Sequence, residues 1–68
     1  MSNISSERLL RRPEVEVMTG LRKSAIYKLM KTGAFPPQVK LSGNSSQSAV
    51  AWRAADIIAW INSRPVAA

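Results

Sequence analysis

Cysteine and histidine are both absent from this 68-residue chain. Their absence removes the usual zinc ligands, any disulfide, a thiol nucleophile and a histidine general base. Glycine is scarce: Gly20, Gly33 and Gly43 are too scattered to form a phosphate-cradling loop. Long apolar runs are missing too. The longest, residues 57–61, is five residues, against the roughly 20 needed to span a bilayer. The opening MSNISSERLLRR lacks the apolar stretch and small-residue cleavage site of a secretory signal. These absences lead to an expectation of a soluble, cytoplasmic protein with no membrane association, no cofactor and no metal. Catalysis is not expected, because no acid–base pair or nucleophile stands near a plausible pocket. A chain this short builds one domain at most, and such a domain buries only about 60% of the surface its unfolded chain exposes.

Acidic residues are the other shortage, four against ten Lys and Arg, for a net charge of +6. Their placement says more than the total. No acid occurs between Val17 and Ala55, while that stretch carries Arg22, Lys23, Lys28, Lys31, Lys40 and Arg53. Outside it, Arg8, Arg11, Arg12 and Arg64 balance Glu7, Glu14, Glu16 and Asp56. The whole excess therefore belongs to the middle of the chain. A surface built only for solubility intersperses both signs. A stretch of one sign suits a polyanion, because each phosphate neutralised releases counterions.

The chain reads as a tail over residues 1–8, one folded domain over 9–64 and a short tail over 65–68. Leu9 and Leu10 suggest a short extended segment. Pro13 suits a first helical turn, as do Glu14 and Glu16 near the positive end of the helix dipole, and Gly20 offers a left-handed stop. A first helix is thus expected over residues 13–19, burying Val15 and Met18, with Val17 left open. Leu21 points inward. A second helix over about residues 23–32 places Ile26, Leu29 and Met30 on one stripe, and Gly33 ends it. Pro36 and Pro37 forbid its continuation, and Phe35 is expected to plug the helix pair. Residues 38–41 and 49–53 flank a Gly/Asn/Ser-rich segment and read as a β-hairpin, with Val39, Leu41, Val50 and Trp52 facing the core. A third helix over residues 54–63 buries Ile57, Trp60 and Ile61 and leaves Ile58 exposed. The fold class is mainly α with a small β-hairpin: a winged helix-turn-helix of three helices and a two-stranded antiparallel wing.

Two short helices joined at Thr19-Gly20-Leu21, the second with a cationic outer face, match a helix-turn-helix. In such a unit the second helix enters the major groove and its first residues meet base edges. Here those are Arg22, Lys23, Ser24, Tyr27 and Lys28. Arg and Lys match guanine's acceptors, and Ser bonds to several bases. Tyr27 suits a phosphate or a covering role equally. Lys28, Lys31 and Lys40 are expected on phosphates, where they position the domain without reading sequence, and Arg53 completes the cationic set. Both tryptophans fit a core better than a base-stacking platform, which argues against single-stranded nucleic acid.

The run Leu9-Leu10-Arg11, Pro13-Glu14-Val15, Thr19-Gly20-Leu21 resembles the opening of the AlpA family of phage-type regulators. The resemblance continues through Ser24-Ala25-Ile26-Tyr27-Lys28-Leu29, Gly33-Ala34-Phe35-Pro36, Val39-Lys40-Leu41, Ala49-Val50-Ala51-Trp52-Arg53 and Ala59-Trp60-Ile61. It spans about residues 9 to 64. It implies a MerR-like winged helix related to the small phage excisionases, in a bacterial prophage or mobile element. Two positions depart from the family pattern. Arg22 stands where a Ser-like helix cap is usual, which forgoes ~1 kcal/mol. Ser48 stands where the family's wing tends to carry an Arg, so the wing loop is uncharged and DNA binding is expected to be led by the second helix.

The sequence supports a sequence-specific transcriptional regulator on double-stranded DNA. Its alternative is an excisionase-like factor that bends attachment-site DNA and recruits an integrase. A third reading is a protein-interaction adaptor docking through Ile58. One small domain reads few base pairs, so a homodimer or copies side by side on nucleoid DNA are expected.

Overall fold

The computed structural model describes residues 7–41 and 49–67. The first six residues and the wing loop with Asn44, Gln47 and Ser48 lie outside the described set. Along the chain the elements are β1 (Leu9–Leu10), α1 (Arg12–Thr19), α2 (Lys23–Lys31), β2 (Val39–Lys40), β3 (Val50–Arg53) and α3 (Ala54–Asn62). The fold is mainly α with a small antiparallel sheet.

α1 begins one residue before the proline, because Arg11 caps it in an extended conformation. The Glu14 carboxylate accepts the Arg11 backbone N–H at 3.3 Å, one half of a capping box. Pro13, inside the first turn, lacks only an N–H that the helix would leave unpaired. Gly20 stops the helix at φ 77°, and its N–H reaches the Glu16 carbonyl at 2.8 Å. Thr19 then locks the corner from both sides. Its hydroxyl donates to the Val15 carbonyl at 2.8 Å and accepts the Leu21 N–H at 3.2 Å.

α2 stops at Lys31, with Thr32 as its cap rather than its last residue. The ending is a Schellman motif. Ala34 N–H meets the Leu29 carbonyl at 2.8 Å and Gly33 N–H meets that of Met30 at 3.1 Å, with Gly33 at φ 82°. α3 follows β3 without a loop, since Arg53 both ends the strand and caps the helix. It closes at Asn62, with Ser63 as cap.

The hairpin has a third strand that its own sequence does not announce. The order is β1-β3-β2, all antiparallel. Leu9 faces Arg53 and Leu10 faces Trp52, while Val39 faces Ala51 and Lys40 faces Val50. The two-stranded wing is therefore extended on its far edge by β1, and the Ala54 N–H bonds to the Arg8 carbonyl at 2.8 Å. The start of the folded region is thereby tied to the start of α3.

Leu10, Val15, Ile26, Phe35, Trp52, Ala54 and Ile57 form the buried core, flanked by Met18, Leu21, Leu29, Met30, Trp60 and Ile61. Phe35 is buried in this core, and its ring partners are on β3 and α3 rather than on the first two helices: it stands edge-on to Trp52 and to Trp60 at centroid distances of 6.2 and 4.9 Å. The indole N–H groups anchor the segment between α2 and β2. Trp52 donates to the Pro36 carbonyl at 3.0 Å and Trp60 to that of Ala34 at 2.8 Å. Three expectations about facing are corrected. Leu41 is exposed, because β2 ends at Lys40 and Leu41 only closes the hairpin through its N–H to Ala49. Val39 and Val50 are half-buried, whereas Ala51, on the opposite face of β3 from Trp52, is fully buried. Ile58 is half-buried rather than exposed.

Candidate nucleic-acid interface

All eight residues that the sequence singles out, Arg22, Lys23, Ser24, Tyr27, Lys28, Lys31, Lys40 and Arg53, are exposed. The helical period explains five of them. At about 100° per residue, Lys23, Tyr27, Lys31, Ser24 and Lys28 fall within an arc of about 140° on α2. Ile26, Leu29 and Met30 hold the other side against the core. Burial of that stripe fixes which way the helix rolls, and the cations are turned outward as a consequence.

The electrostatics of this face follow from what is missing around it. Glu14 is bound by Arg8 at 2.6 Å and Glu16 by Arg12 at 3.0 Å, both pairs on the α1 side. None of the six cations between Arg22 and Arg53 forms an ion pair among the described residues. Their charge is not offset by contact with an acid among the described residues. The N-terminus of α2 adds to it. Arg22 caps the helix with its backbone alone, no side chain caps it and no acid stands in the first turn. The positive end of the helix dipole is thus left open beside Arg22 and Lys23.

Two further cations sit on the sheet. Lys40 sits on β2 opposite Val50, at the wing end of β3, whereas Arg53 ends β3 opposite Leu9. The two are about 10 Å apart along the strand at ~3.3 Å per residue. No hydrogen bond or ion pair joins the side chain of Lys40 or of Arg53 to α2 among the described residues. One further polar residue does join it. Gln38, just before β2, donates from its side-chain amide to the Tyr27 hydroxyl at 3.2 Å. No motif marks Gln38, and contact across eleven positions of sequence is invisible without the fold.

Among the described residues no group of His, Cys, Asp or Glu could hold a metal, and no helix is long and apolar enough to cross a membrane. The surface is a cationic face on a helix that follows a preceding helix through a hydrogen-bonded Thr-Gly corner.

Comparison with known proteins agrees with the resemblance seen in the sequence. The family described as "Prophage CP4-57 regulatory protein (AlpA)" matches residues 8–65. A relative from Enterobacteria phage P4, "Uncharacterized protein ORF88", is 44% identical over 64 residues, covering 94% of this chain and 68% of its own length. No solved structure matches the chain.

Proposed function

The chain belongs to the AlpA family of prophage regulatory proteins, and from that premise we propose that it is a sequence-specific double-stranded DNA-binding transcriptional regulator. The observation that carries this reading is the outward face of α2: cationic, free of acids and uncapped at its N-terminus. α2 enters the major groove with Arg22, Lys23 and Ser24 at base edges. Lys28, Lys31 and Lys40 contact phosphates and set the register, with Arg53 a peripheral contact on the sheet's far end. The protein acts in the cytoplasm of a bacterial host, without metal or cofactor, and binds as two or more copies because one such helix reads only a few base pairs.

Duplex affinity measured across a salt series tests the reading. Three phosphate-contacting lysines give a slope of log affinity against log salt of about −2.7 per bound copy. Lys28→Ala should weaken all duplexes about equally and flatten the slope by about 0.9 per bound copy. Arg22→Ala or Lys23→Ala should relax base preference as well, by ~1–3 kcal/mol at one position. Absence of duplex binding at low salt would sink the proposal.

A further inference from the structure

Tyr27 lies on the outward arc of α2 between Lys23 and Lys31, and its hydroxyl has an intramolecular partner. Gln38 Nε2 donates to that oxygen at 3.2 Å. A phenol oxygen can accept and its proton can donate. With an amide N–H occupying the acceptor side, the proton is left to point away from Gln38. A free tyrosine hydroxyl rotates between donor and acceptor roles, whereas this one is biased toward donation. A phosphate oxygen is an acceptor only, and Lys23, Lys28 and Lys31 stand beside Tyr27 on the same arc to attract it.

We propose that Gln38 is a positioning residue for Tyr27: its amide fixes the Tyr27 hydroxyl as an outward hydrogen-bond donor to one backbone phosphate of the bound duplex. This rests on the DNA-binding reading above and refines it. The pair also spans from the recognition helix to the base of the wing. The phosphate contact is thereby held by two elements at once, and the phenol is not free to swing. Gln38 touches no nucleic acid in this scheme and acts only through Tyr27.

The test uses a duplex selected from a random-sequence pool by the wild-type protein, with affinities measured for Tyr27→Phe, Gln38→Leu and the double variant. A hydrogen bond to a charged oxygen is worth about tenfold or more in affinity, so Tyr27→Phe should lose about tenfold. Gln38→Leu should lose a similar factor, and the double variant no more than the larger single loss, because both remove the same contact. Replacing backbone phosphates one at a time by neutral methylphosphonates should reveal one position that weakens the wild type but not either variant. Gln38→Met, a second apolar replacement, should behave as Gln38→Leu, and thermal unfolding should show that all variants fold. Unchanged affinity in Gln38→Leu beside a loss in Tyr27→Phe would overturn the proposal, as would losses that add in the double variant. So would a loss in Gln38→Leu spread evenly over all phosphates with a lowered unfolding midpoint, which marks a mere structural strut. In each of these cases the salt slope and the Lys28→Ala loss would still stand, so the DNA-binding reading survives separately. Failure of the wild type to bind any duplex would overturn both.

Discussion

Arg22 is the residue at which fold and proposed function pull apart. It occupies the cap position of α2 in an extended conformation, with no side-chain bond to the helix's first N–H groups. Serine there would accept one of those N–H groups and contribute ~1 kcal/mol. Lys23 follows at the first helical position, where the dipole disfavours a cation. Two successive choices thus cost the helix stability and place positive charge at its open end. Arg22→Ser should raise the thermal unfolding midpoint by about 4–8 °C for a domain of this size while lowering affinity for the selected duplex. A variant that is more stable and binds equally well would remove Arg22 from the interface.

The elements divide into those that local sequence specifies and those that need a distant partner. α1 and α2 were legible because their signals are local: Pro13 and Glu14 at one start, Gly20 and Gly33 at the stops, and an apolar stripe whose period names the outer face. The same stripe assigns Lys23, Ser24, Tyr27, Lys28 and Lys31 to one surface from the sequence alone. β1 was legible only as an extended pair of leucines. Two residues cannot state their partner, and pairing with β3 emerges from the shape of the whole sheet. Leu41 misled because alternation was extended one residue past the end of β2. Gln38 is not legible in the sequence because its partner, Tyr27, lies across the fold. β1 matters more than its length suggests. Leu10 is fully buried against the register position of Trp52, while its neighbour Leu9 is 41% exposed. Leu10→Ala should cost about 2–5 kcal/mol in urea unfolding, a large part of the total stability of a domain this small. Leu9→Ala should fall within about 0.5 kcal/mol. Equal costs would mean that β1 is not pinned to β3 in the register seen here.

For the whole molecule, salt acts on folding and on binding through the same charges but with opposite sign. The chain carries +6, and the cations from Arg22 to Arg53 have no internal counter-charge among the described residues. Folding brings them together on a small surface, so their mutual repulsion opposes the compact state. The pairs Arg8–Glu14 and Arg12–Glu16 are about half-exposed, and pairs open to solvent contribute ~0–1 kcal/mol each. Screening should therefore relieve more repulsion than it removes attraction. Raising salt from a few millimolar, where the screening length is tens of ångströms, to 0.15 M, where it is about 8 Å, should raise the unfolding midpoint. Over the same range duplex affinity should fall with the slope given above. Bound DNA supplies the missing counter-charge, so the midpoint of the complex should lie above that of the free protein at low salt and converge on it as salt rises. Calorimetric unfolding with and without the selected duplex, across the salt series, measures both trends in one experiment. A free-protein midpoint that drops with salt would mean that the few ion pairs on the α1 side outweigh the repulsion of the open face, and that the charge excess is not held strained for a polyanion.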